Sequence, residues 1–279
     1  MTRLKKWLDM PHQFYIYAYA ASDVGRVRTN NEDSLLIANL SEYVRIEKSG
    51  ELSFPAGAGG GLFAVADGMG GAAAGEMASR IGLRMVYKEI QDNIGDTYPS
   101  DNEEMEELFI DAVASANRRI FQLSREYEEY RGMGTTLTAV LALNGRMMIA
   151  QIGDSRAYLL RRDGIRQLTR DQSLIAQRVA AGLITEEQAR QHPDRNILLQ
   201  ALGVNESVEL ALQSAPLLPG DVLLLCSDGL HGQMSADEIY ETVIHADGVE
   251  SACSHLIDLA NRRGGPDNIT AVLVQFRQE

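Results

Sequence analysis

The chain has 279 residues, 45% hydrophobic and 23% charged, a balance that suits one large domain with a sizeable core and excludes collagen-like, mucin-like and wholly disordered chains. Its 39 acidic and 26 basic residues leave a formal charge of −13, which works against a bulk electrostatic grip on nucleic acid or an anionic membrane but leaves carboxylates to spare for metal. Only Cys226 and Cys253 are present, each beside apolar residues, so neither a disulfide scaffold nor a cysteine zinc site can be built, and buried free thiols in the cytoplasm are expected.

Residues 1–14 read as an N-terminal leader before one continuous domain over 15–279. The apolar stretch from Phe14 to Ala21 is eight residues long, well short of the roughly 20 that cross a bilayer. Apolar runs predict strands at 15–21, 35–40, 62–66, 136–143, 146–152, 156–161, 165–168, 222–226 and 269–276. Asn144-Gly145 and Asp163-Gly164 accept the positive φ of tight turns and predict two hairpins, so antiparallel pairing should dominate. Helical spacing of apolar residues predicts helices over 74–91, from Met105 to Leu123 and from Val249 to Ala260, while Thr185-x-x-Gln188 and Ser235-x-x-Glu238 read as capping boxes opening two more. This interleaving suggests two antiparallel sheets packed together with helices outside, rather than a doubly wound parallel sheet.

Acidic residues recur where an apolar strand gives way to glycine. Leu62 to Ala66 runs into Asp67-Gly68-Met69-Gly70-Gly71, Met147 to Ile152 into Gly153-Asp154-Ser155, and Val222 to Cys226 into Ser227-Asp228-Gly229; Asp267-Asn268 precedes the strand from Ile269. Carboxylates converging from one sheet edge make a hard oxygen site suited to Mg²⁺ or Mn²⁺, and a neighbouring glycine lets a backbone carbonyl approach the ion. Taken singly, Asp67 and Asp228 fit a turn as well as a ligand. Asp163-Gly164 and Asp247-Gly248 read as turns alone. Between the first two strands, the segment from Ser22 to Ser34 mixes Arg28 with Glu32 and Asp33, which suits a solvated loop, or a loop in which Arg28 grips a phosphate by its planar fork.

Seven short blocks in order carry a resemblance: Val27-Arg28-x-x-Asn31-Glu32-Asp33, Asp67-Gly68-Met69-Gly70-Gly71, Gly134-Thr135-Thr136, Gly153-Asp154-Ser155-Arg156, Leu168-Thr169-Arg170-Asp171-x-Ser173, Ser227-Asp228-Gly229-Leu230 and Asp267-Asn268-Ile269-Thr270. Over residues 22 to 276 the chain resembles the bacterial type 2C, metal-dependent serine/threonine protein phosphatases. The resemblance implies a four-layer αββα sandwich, with a binuclear metal site at one end and a flap over about 169–200. It implies that Asp67 bridges two Mn²⁺ or Mg²⁺ ions, that the Gly68 carbonyl serves one of them, and that Asp228 and Asp267 hold the other. Arg28 then binds phosphate, Glu32 and Asp33 act mainly through metal-bound water, and Asp154 can hold a weaker third ion. Direct attack of a metal-bridging hydroxide on phosphoserine or phosphothreonine follows, without a covalent intermediate. The implied partners are phosphorylated proteins and a cognate serine/threonine kinase, with no nucleic acid and no membrane, and the chain is expected to act as a monomer.

Two positions depart from the pattern. Met69 stands where eukaryotic members carry a histidine proposed as general acid, which leaves protonation of the leaving group to water or another acid. Gln172 replaces the histidine common in the flap motif. Other chemistries lack their parts. No arginine lies six positions after either cysteine, no Asp-x-Asp exists for an aspartyl nucleophile, and of the five histidines only His231 lies near an acidic loop. Gly68-x-Gly70-x-x-Ala73 formally matches a dinucleotide fingerprint, but Asp67 would face the pyrophosphate with like charge. A degenerate relative that binds phosphoproteins without turnover is the non-enzyme alternative, and the intact Arg28, Asp67, Asp228 and Asp267 argue against it.

Overall fold

A computed structural model describes residues 14–278, apart from 57–58, 95–97 and 191. The leader expected over 1–14 therefore lies, except for its last residue, outside the described residues. Two antiparallel sheets form the centre. The first holds β1 (Phe14–Asp23), β4 (Gly50–Pro55), β9 (Arg156–Arg161), β10 (Gly164–Gln167), β12 (Val222–Cys226) and β13 (Ile269–Gln278) in the order β10-β9-β12-β13-β1-β4. The second holds β2 (Asp33–Asn39), β3 (Val44–Ile46), β5 (Gly61–Met69), β7 (Leu137–Leu143), β8 (Arg146–Ile152) and β11 (Ala211–Pro216) in the order β11-β8-β7-β5-β2-β3, with β6 (Gly134–Thr135) continuing the ladder beside β5.

The two-residue period of the strands decides which side chain enters which layer. Leu35 and Ile37 of β2 and Phe63 and Val65 of β5 point toward the first sheet, where Leu223, Leu225, Val272, Val274 and Phe276 meet them. Phe63 and Phe276 close this middle layer edge to face, 6.3 Å between ring centres. The alternate residues Leu36, Ala38, Leu62, Ala64 and Ala66 turn outward onto α1 (Ala72–Ile94) and α2 (Asn102–Glu126). On the far side Leu224, Cys226, Ala271 and Leu273 pack against α6 (Ala236–Ile244) and α7 (Val249–Arg262) through Ile239, Cys253 and Leu256. Full burial of each large side chain contributes about 1.5–3 kcal/mol, so three stacked apolar layers fix the order helix, sheet, sheet, helix. This is the αββα sandwich expected.

The structure alters several expectations in detail. Strand β5 does not stop at residue 66 but runs through Asp67 and Gly68 to Met69, and β2 begins at Asp33 rather than 35, because Asp33 pairs with Asp67 and Gly68 with Thr135. The hairpin at Asn144-Gly145 has both residues in the left-handed region, φ 51° and 73°. At the second hairpin the loop is Arg162-Asp163, and Gly164 already pairs with Arg161. Strands β3, β4, β6 and β11 carry no strong apolar run and were not anticipated; β3, β4 and β11 are largely solvent-facing edge segments. Both capping boxes form, Glu238 N to Ser235 Oγ at 3.2 Å and Gln188 N to Thr185 Oγ1 at 3.2 Å, each with the reciprocal bond. The expected flap carries α3 (Leu174–Ala180) and α4 (Glu186–Arg190). Among the described residues no helix is long and apolar enough to cross a membrane.

Candidate metal centre

The strand period that builds the core also builds the site. Two residues beyond Val65, Asp67 points toward the opposite sheet, and two residues before Leu35, Asp33 does the same; the register sets them directly opposite each other. From the first sheet, Ser227 follows β12 and donates its Oγ hydrogen to Asp33 Oδ2 at 2.7 Å, while Asp228 opens the short helix α5 (Asp228–His231). Asp267 arrives on the turn before β13. That turn is clamped to the loop after β1: Arg26 N–H donates to Gly265 O at 2.7 Å, and a Cβ on Gly25, at φ +81°, would strike the Asp267 carbonyl. Gly68 is equally constrained, since a Cβ there would collide with the Gly75 and Glu32 carbonyl oxygens.

The acids raise one another's pKa. Burial first, then the charges of Asp33, Asp228 and Asp154, hold the Asp67 carboxyl well above the usual range. Burial pushes Asp33 up to about 7 despite hydrogen bonds from Thr270 and Ser227, and pushes Asp228 up to about 6 with help from Asp267. Asp154, 8% exposed, is raised by burial and by Asp228 and Asp171. Glu32 is raised chiefly by burial. Among the described residues one cation forms an ion pair with the group: Arg28 Nη2 reaches Asp267 Oδ2 at 2.8 Å, with the guanidinium half exposed.

Every residue expected at the site is at this end of the sandwich, with Asp154 on the flap side. Others were not singled out. Asn268 Oδ1 accepts from Glu32 N–H at 2.8 Å, and its amide donates to the Val24 and Asn30 carbonyls, so it ties the Arg28 loop to the Asp267 turn. Thr136 Oγ1 accepts from Asp67 N–H at 2.9 Å. His231 meets the Asp154 carbonyl through Nε2 at 3.1 Å, and burial lowers its pKa to about 3, so it stays neutral. Asn268, Thr136 and Ser227 all stand within the seven blocks; adjacency to the acids was the available signal. Gln172 has a visible role: its Oε1 accepts from Gly153 N–H at 2.7 Å while its backbone N–H donates to Gly153 O at 2.9 Å, fixing the start of the 169–200 segment to the residue before Asp154.

The donor set fits hard divalent cations. Asp33 Oδ1 and Asp228 Oδ1 are buried with no hydrogen-bond partner, a cost that a cation would offset. Among the described residues no three acids, histidines or cysteines already converge on one point. An all-oxygen donor set suits ions that keep part of their water shell, as Mg²⁺ and Mn²⁺ do, better than a closed tetrahedral zinc cage of nitrogen and sulfur.

Residues 52–273 match the family described as Protein phosphatase 2C. A serine/threonine phosphatase stp of Listeria innocua is 35% identical over 260 residues, covering 93% of this chain and 96% of that protein. The crystal structure of the Mycobacterium tuberculosis serine/threonine phosphatase PstP/Ppp superposes with a TM-score of 0.79 at 35% identity, over 95% of this chain and all of that one. A structure of the PstP catalytic domain in complex with two manganese ions gives 0.75 at 34% identity, over 95% of this chain and 100% of that one.

Proposed function

The chain belongs to the protein phosphatase 2C family and is a serine/threonine protein phosphatase, and from that premise we propose how its residues perform the reaction and on what. Asp67, the Gly68 carbonyl, Asp228 and Asp267 hold two divalent ions, Mn²⁺ or Mg²⁺, with Asp33 beside them and Asp154 offering a weaker third place. When bound, such a pair lowers the pKa of water toward neutrality and offsets negative charge on the phosphoryl oxygens.

The protein's own groups do the rest. Arg28, held through Nη2 by Asp267, has the remaining N–H groups of its fork free to bind phosphoryl oxygens of phosphoserine or phosphothreonine. Asp33 and Glu32 orient water around the acids, Asp33 steadied by Ser227 and Glu32 by the Asn268 contact to its backbone. Water attacks phosphorus directly, without a protein nucleophile, because Cys226 and Cys253 lie in the core with thiols pushed up to about 12 by burial. Met69 has no proton to give, so water or a neighbouring acid protonates the leaving oxygen. The catalytic unit is a single domain over 15–279, acting as a monomer in the cytoplasm on proteins phosphorylated by a cognate serine/threonine kinase.

The observation that carries this reading is the group of acids that burial and one another's charge hold above the usual range, with unpartnered buried oxygens on Asp33 and Asp228 and with Arg28 paired to Asp267. The test is turnover of p-nitrophenyl phosphate and a phosphothreonine peptide with Mn²⁺. EDTA should abolish both activities and a thiol alkylator should leave them intact; full activity in EDTA would defeat the metal assignment.

A further inference from the structure

On the outer edge of the second sheet a groove of about 550 Å³ runs between β2, the segment after β3, and α1. It opens because β3 leaves β2 early: pairing between them ends at Ile37 and Ile46, so Ser34–Leu36, paired with β5 on one side, has no strand partner among the described residues on the β3 side. That stretch of β2 leads straight to Asp33 at the metal centre.

The groove is basic in a chain whose formal charge is −13. Arg45, Lys48, Arg80 and Arg84 line it, against one lining acid, Glu47. Glu47 takes Arg45 and Arg84, each at 2.7 Å, and Arg45 also lies over the Tyr87 ring. The other two cations are less committed. Arg80 meets Glu76 at 3.4 Å across exposed side chains and the Met77 sulfur at 3.8 Å, and Lys48 has no carboxylate within 4.0 Å among the described residues. Arg80 directly follows a residue that touches the backbone of the site. Its neighbour Ser79 donates to the Glu32 carbonyl at 2.6 Å and touches Ser34 Oγ at 2.9 Å.

We propose that this groove docks an acidic segment of the phosphoprotein substrate, with Lys48 and Arg80 pairing its carboxylates while the phosphorylated residue occupies the metal centre. The proposal rests on the phosphatase reading above and adds a preference in sequence. From Leu36 to Asp33 an extended strand covers about 10 Å, so the favoured acids lie roughly three to five residues from the phosphoresidue. The charge contrast is what selects this occupant: an acidic partner is repelled by most of the surface and attracted here, next to the site.

The test uses two phosphothreonine peptides that differ only in carrying Glu or Gln three to five positions on both sides of the phosphothreonine. Turnover is measured with Mn²⁺ for the wild-type chain and for the double variant Lys48→Ala, Arg80→Ala, whose side chains lie on the surface. The wild type should show a KM about three- to tenfold lower for the Glu peptide. The double variant should lose that difference while keeping wild-type turnover of p-nitrophenyl phosphate, and 0.5 M salt should erase the difference in the wild type (an added-salt level on the order of a 4 Å screening length). Equal KM values for both peptides in the wild type, or a difference that survives the double variant, would overturn the groove assignment. Absence of p-nitrophenyl phosphate turnover in the wild type would instead overturn the phosphatase reading beneath it.

Discussion

Two sets of buried carboxylates occupy this sandwich, and they are treated in opposite ways. Asp221 is 2% exposed and holds Arg161 by two bonds, 2.7 and 2.8 Å, while also accepting from Leu218 N–H; Asp171 holds Arg156 in the same bidentate manner. Asp33 and Asp154 are buried and Asp67 and Asp228 half-buried, yet among the described residues no arginine or lysine forms an ion pair with any of the four, and Asp33 faces Asp67 directly across the ladder. Like charges opposite one another destabilise a sheet. The first set is complete within the protein; the second, under the proposed function, is completed by cations.

The sharpest way to break that contrast is to exchange the consequences. Asp228→Asn should reduce turnover by roughly a hundredfold or more and weaken Mn²⁺ binding, since even second-sphere losses at metal sites cost about 10–100-fold. The same change should not lower the melting temperature of the metal-free protein, because it removes repulsion. Asp221→Asn should do the reverse: stability falls by about 1.5–3 kcal/mol as a charge-assisted pair is lost, and Mn²⁺ binding stays intact. Calorimetry and thermal unfolding on both variants decide whether the two sets differ as stated.

Next in size is Arg28→Ala, which removes the cation paired with Asp267. Removing a charge-assisted grip on phosphate should raise KM by about ten- to a hundredfold with a smaller effect on kcat, and Arg28→Lys should recover only part of it. Steady-state kinetics on a phosphothreonine peptide would show otherwise through a wild-type KM. Asp154→Ala should spare the binding of the first two ions and lower phosphopeptide turnover several-fold, read by titration and kinetics on one sample. Smallest is Asp163→Asn at the tip of the β9–β10 hairpin, expected within about 0.5 kcal/mol of the wild type in stability and unchanged in rate.

Much of this was legible in the sequence because the same signal served fold and site. The alternation that marks Leu35, Ile37, Phe63 and Val65 as core also sends Asp33 and Asp67 inward, and the glycines beside the acids were visible as places of close backbone approach. What alternation cannot show is where pairing continues after the apolar residues stop, so β5 was cut short at 66 although its ladder runs on to Met69. Edge strands such as β11, with only one buried side chain, leave no apolar pattern to read. The roles of Asn268 and Gln172 were illegible for a further reason: both act through hydrogen bonds to backbone 19 or more residues away, which no local spacing records.

The raised carboxyls also give the contrast a pH dependence. Asp33 and Asp228 titrate at about 7 and about 6 in the folded protein, above the roughly 3.9 of an unfolded aspartate. The folded, metal-free chain therefore binds extra protons; its stability is greatest below about pH 4 as far as these groups are concerned, and declines as pH rises through 6 and 7. Cations entering at neutral pH must displace those protons. Isothermal titration of the metal-free protein with Mn²⁺ near pH 6.5 (about the midpoint of those two titrations), run in two buffers of different ionisation enthalpy, measures both quantities at once. Two tight Mn²⁺ should bind per chain with net proton release, and Asp228→Asn should lose one of the ions and release fewer protons, those of Asp33 and Asp67 remaining. Binding without proton release, or an unchanged stoichiometry in that variant, would contradict the metal assignment.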